Sequence, residues 1–100
     1  MPILFKHGIY FYWNDNKFKL VYDNIEIDFE EVISVFLDPY QVTNIDNRFD
    51  YDELRMITIG MSDKGRLLAV AWVETGNDSM TIITAFKPSH AQIKGYNNGR

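Results

Sequence analysis

Three apolar runs separated by two short turns constrain this chain more than any other feature. Residues 55–61 alternate, with Ile57, Ile59 and Met61 on one side. Residues 66–74 are almost unbroken in apolar side chains, as a central strand covered on both faces must be. Residues 80–86 complete the set. The intervening Ser62-Asp63-Lys64-Gly65 and residues 75–79 are turn-length, and Gly65 can supply a positive φ. Runs joined so closely pair antiparallel, because parallel neighbours need a crossover of a dozen or more residues. A meander over residues 55–86 is therefore expected, with a further short strand over residues 41–45.

Helical periodicity appears on either side of that meander. After an aromatic strand-like run, Ile9-Tyr10-Phe11-Tyr12-Trp13, Asn14 or Asp15 can cap a helix whose face is Phe18, Val21, Tyr22 and Ile25. That helix is expected to end around Asp23. Asp28 opens a second one, with Glu31 three residues on in a capping-box spacing. Phe29, Val32, Ile33 and Phe36 form its stripe, and Asp38-Pro39 stops it, since the residue before proline is pushed out of the helical region. Ser89 and Gln92 repeat the capping box at the start of a last helix, where Ile93 and Tyr96 can pack on the sheet. The expected order is β-α-α-β-β-β-β-α, an α+β domain with one antiparallel sheet flanked by helices.

Size and composition then narrow the function. One hundred residues fit one domain, residues 1–100, and 46% hydrophobic with 15% aromatic is enough for a packed core. There is no cysteine, hence no disulfide framework and no thiolate metal site. No run approaches the roughly 18 apolar residues of a membrane span. The opening residues lack the apolar stretch of a secretory signal, so the cytoplasm is the expected location. The net charge of −4 argues against avid, non-specific nucleic-acid binding, although a small basic site on one face is compatible with it.

Among side chains able to carry chemistry, Arg55 and Arg66 stand at strand starts and Lys87 at a strand end, with His90 and Tyr96 beyond it. Each also has an ordinary structural reading. An arginine at a strand edge often snorkels, a lysine there guards the edge, and a tyrosine packs with its hydroxyl to water. His90, at a helix N-terminus, is expected to be neutral and so able to act as a base. His7 is taken as structural. Two histidines far apart in sequence give no metal motif. The acidic stretch from Asp46 to Glu53 lacks the glycine and spacing of a calcium loop. No metal or other cofactor is expected.

Five segments in order resemble the BrnT family of bacterial toxins. Phe11-Tyr12-Trp13-Asn14-Asp15-Asn16-Lys17 is similar to its opening motif. Phe29-Glu30-Glu31-Val32 with Val35-Phe36-Leu37-Asp38-Pro39 is similar to its second. Glu53-Leu54-Arg55 through Ile59-Gly60-Met61-Ser62, then Gly65-Arg66-Leu67-Leu68, then Ile83-Thr84-Ala85-Phe86-Lys87 with Tyr96, follow in register. The resemblance implies a RelE-like fold and a ribonuclease toxin of a type II toxin–antitoxin system. It also implies RNA as substrate and a cognate antitoxin protein as partner. It places functional residues at Arg55, Arg66, Lys87 and Tyr96. With the chemistry above, the arginines would steady phosphate charge, Lys87 would bind phosphate, and His90 or Tyr96 would move protons without a metal. Lys17 and Lys19 on the first helix would add RNA contacts. Direct DNA binding is not expected, since no helix-turn-helix is present. Three positions depart from the family: Asn24-Ile25-Glu26 replaces a Lys-His-Gly, Phe86 an arginine, and Gln92 a glutamate. These lost cations favour the alternative, a catalytically degenerate interaction module of the same fold.

Overall fold

The computed structural model describes residues 3–16, 19, 25–46 and 54–98. Their elements are β1 (Ile3–Lys6), β2 (Ile9–Trp13), α1 (Phe29–Ser34), β3 (Val42–Ile45), β4 (Met56–Met61), β5 (Leu67–Gly76), β6 (Ser79–Phe86) and α2 (His90–Asn98). A 3₁₀ turn, Val35–Leu37, continues α1. The six strands form one open sheet in the order β1-β2-β6-β5-β4-β3.

The meander forms as its turn spacing requires. Met56 pairs with Trp72 and Met61 with Leu67, then Val70 pairs with Ala85, all antiparallel. The expectation of a wholly antiparallel sheet is corrected at β2, which runs parallel to β6 with Tyr10 opposite Ser79 and Trp13 opposite Ile82. Residues 14–78 lie between those two strands, so the long crossover that parallel pairing needs is available. β1, to which the sequence reading gave no strand, is joined to β2 by a two-residue hairpin. His7 and Gly8 both have positive φ there, 56° and 79°, the backbone that matches the strand twist. The expected first helix falls mostly outside the described residues, although Asp15, Asn16, Lys19 and Ile25 are helical.

Both faces of the sheet are used. Leu68 and Val70, with Trp72, turn toward α1, joining Phe11, Val32, Ile33, Met80 and Ile82. The alternate residues Leu67, Ala69 and Ala71 turn toward α2, joining Ile57, Ile59 and Tyr96. This is why β5 carries an unbroken apolar run. In β6 the alternation slips: Ile82 belongs to the first cluster, Ile83 to the second, and Ala85 again to the first. The register with β5 shifts at the same place, the mark of a β-bulge.

Helix α1 starts as read: the Asp28 side chain accepts from the Glu31 amide at 2.9 Å. The 3₁₀ turn then presses onto β4 at Gly60. A Cβ there would lie 2.7 Å from Val35 Cγ1 and 3.0 Å from the Val35 carbonyl, so only glycine lets the two backbones approach this closely. Ser89 and Gln92 form the expected reciprocal box, with Gln92 Oε1 accepting from the Ser89 amide at 2.8 Å and Ser89 Oγ from the Gln92 amide at 3.2 Å.

Candidate functional site

Two buried carboxylates organise one end of the sheet. Glu31, 2% exposed, does not return to the start of its helix. Its Oε2 accepts from Arg66 Nε at 2.8 Å and Ser62 Oγ at 2.7 Å, while Arg66 Nη2 donates to Oε1. Ser62 Oγ in turn accepts from the Lys64 and Arg66 amides, closing the β4–β5 turn. Burial alone would push the Glu31 carboxyl up. The hydrogen bonds from Arg66 and Ser62, with the charges of Arg66 and Lys64, outweigh burial and hold it below its ordinary value. Hydrogen bonding to Glu31 likewise raises Arg66.

Asp38 is the second hub. Its Oδ1 accepts from the Tyr40 amide at 2.9 Å, which turns the chain after the 3₁₀ segment. Its Oδ2 accepts from the Met61 amide at 2.8 Å and from the Tyr96 hydroxyl at 2.6 Å. One carboxylate thus ties α1's end, β4 and α2 together, and each donor it takes would otherwise be left unsatisfied.

The expected site residues are not gathered into one cluster. Arg66 and Tyr96 reach the two buried carboxylates. Arg55 stands just before Met56 and Arg66 just before Leu67, and the antiparallel register puts them at opposite ends of the β4–β5 pair, roughly 24 Å apart at about 3.4 Å per residue. Arg55 is partly buried, and its carbonyl accepts from the Asp46 amide at 2.7 Å, extending the β3–β4 ladder. Lys87 follows β6 and His90 opens α2, both exposed. Lys19 is exposed as well, whereas Lys17 lies outside the described residues. Among the described residues no three His, Asp or Glu side chains are grouped to hold a metal ion.

Charge sorts by face. On the α1 side stand Glu26, Asp28, Glu30, Glu31, Asp38 and Asp63, with Lys6 paired to Glu30 and Lys64 and Arg66 to Glu31. The other side, from β6 through α2, has Lys87, His90 and Lys94, and residues 79–98 contain no Asp or Glu at all. His90 and Lys94 are one helical turn apart, hence neighbours on the same exposed flank. Lys94 was absent from the sequence reading. The signal for it was the acid-free run after Asp78 in a chain with fourteen acidic residues. Beside this helix a cleft of about 310 Å³ opens between α2 and β3, lined by Asn44, Ile45, Gln92 and Gly95 among others. Among the described residues no helix is long and apolar enough to cross a membrane.

The family comparison agrees with this chain over most of its length. A family model described as the ribonuclease toxin BrnT of type II toxin–antitoxin systems matches residues 13–90. No curated protein matches the chain.

Proposed function

The chain belongs to the BrnT family of ribonuclease toxins, and from that premise we propose that it cuts RNA on the sheet face that carries α2. The observation that carries this placement is the charge sorting. A polyanion approaching α2 meets Lys87, His90 and Lys94, residues 79–98 contribute no carboxylate, and the acidic Asp46 that lines the cleft beside the helix is buried. The same polyanion would be repelled by the α1 side.

The chemistry can be assigned to side chains without a metal. His90, exposed at the start of α2, accepts the 2′-hydroxyl proton. The 2′-oxygen attacks phosphorus, and the 5′-oxygen leaves with a proton from water. Lys87 offsets the negative charge that builds on the phosphate oxygens. Tyr96 is a poor proton carrier in this reading, because its hydroxyl is buried and already donates to Asp38. Arg66 acts as a positioning residue through Glu31. A RelE-like arrangement and a cognate antitoxin that covers the α2 face complete the proposal.

Induced expression of the chain alone in bacteria tests it, with growth and total RNA followed over the first generations. Rapid arrest with RNA fragmentation, absent in a folded His90→Ala variant, supports the reading. The diversion of Arg66 and Tyr96 to buried carboxylates favours a second one, a non-catalytic binding module. Normal growth with folded, soluble protein would establish that alternative.

A further inference from the structure

The β1–β2 hairpin buries only one of its faces. Leu4, Ile9, Phe11 and Trp13 pack toward α1. By strand alternation, Ile3, Phe5, Tyr10 and Tyr12 turn to the opposite side, the one α2 occupies farther along the sheet. The cluster under α2 takes residues from β3, β4, β5 and β6 and none from β1 or β2. Ile3, Phe5 and Tyr10 are accordingly 51%, 58% and 38% exposed. The Phe5 and Tyr10 rings lie side by side, with centroids 4.5 Å apart.

We propose that these rings form a stacking platform for unpaired bases of an RNA whose backbone lies along the α2 face. The inference rests on the ribonuclease reading above and extends it to substrate recognition. Charge favours this occupant. Strand pairing sets Ile3, Tyr12, Thr81 and Val73 in one row across the sheet, and the β4–β5 register brings Arg55 to its end. Beyond Arg55 the row ends at the buried Asp46, and it lies on the same face as Lys87, His90 and Lys94. Tyrosine and phenylalanine suit bases because each offers a flat apolar face to any base. The edge of β1 is less suited to pairing with another strand, since Lys6 ends it and Pro2 precedes it in the sequence. Phe5 and Tyr10 also lie before the family match, which begins at residue 13, so the family description does not assign them.

The test uses the full chain and two fluorescent probes read by anisotropy. One is a short single-stranded 2′-O-methyl oligonucleotide, which cannot be cut. The other is its abasic counterpart with the same number of phosphates. The double variant Phe5→Leu, Tyr10→Leu keeps apolar side chains in both strands, and its melting temperature verifies the fold. It is expected to lose about ten-fold in affinity for the base-bearing probe, the scale of one stacked base, with the abasic probe unchanged. Equal binding of the base-bearing probe by variant and wild type overturns the platform. If RNA fragmentation on expression also persists in the variant, the ribonuclease reading stands without it. A wild type that binds neither probe and fragments no RNA ends both. Sedimentation equilibrium supplies the last arm: a wild-type dimer that the double variant makes monomeric, with RNA affinity unaltered, would assign the patch to a second copy of the chain and overturn the proposal.

Discussion

The two sides of the sheet use charge in opposite ways. Toward α1, ionised groups are built into the structure: Glu31 and Asp38 are buried and each binds several donors drawn from distant segments. Toward α2, Lys87, His90 and Lys94 are exposed. A net charge of −4 averages over both and conceals the difference. The lesson is that charge used for architecture differs from charge available to a ligand.

Removing an architectural carboxylate is the strongest challenge to that contrast. Asp38→Ala leaves the Met61 amide and Tyr96 hydroxyl without their acceptor, a loss of about 3–5 kcal/mol, to be read by chemical denaturation. A loss under about 1 kcal/mol would mean that Asp38 is not the hub described, because even one unsatisfied buried group costs that much. Gly60→Ala forces a Cβ against Val35 and is expected to cost about 1–3 kcal/mol by overpacking. Its denaturation midpoint would report whether α1 is seated as tightly as the geometry requires.

Tyr96→Phe sharpens the comparison at a residue expected from sequence to carry chemistry. The expected stability loss is about 1–2 kcal/mol, with RNA cleavage retained under conditions where the variant is folded. Cleavage abolished in a fully folded variant would return Tyr96 to the reaction. Acidification probes Glu31 next. Its carboxyl lies below the ordinary 4.5 in the folded chain, so its contribution is present above the unfolded pKa and fades as pH falls through the folded one. Glu31→Gln should therefore flatten the acid side of the stability–pH curve, measured by thermal melts; an unchanged slope would contradict the clasp. The smallest structural effect belongs to the other face. Lys87→Ala and Lys94→Ala should each leave the melting temperature unaltered. Each should also make the slope of log affinity for RNA against log salt shallower by about one, whereas an unaltered slope would place the RNA elsewhere.

What could be read from sequence was what neighbours decide. The β4–β6 meander, the Asp28 cap and the Ser89–Gln92 box each depend on residues a few positions apart, and each forms. The parallel pairing of β2 with β6 depends on contacts across the length of the chain and left no local trace. Strand β1 was missed because its turn rests on His7 at positive φ, a residue that does not advertise a hairpin. Glu31 had the right spacing for a capping box, yet tertiary partners outcompeted that local bond: Arg66 lies 35 positions away. Tyr96 finds Asp38 58 positions back. The reactive residue types were visible; which of them were already engaged was not, because engagement is decided by the fold.

The β2–β6 pairing also sets a timetable for synthesis. Tyr10 waits for Ser79 and Trp13 for Ile82, so the hairpin cannot dock until β6 has emerged. Such distant closure slows folding relative to local assembly. A nascent chain ending before β6 therefore presents the rings of β1 and β2 without the sheet that orients them.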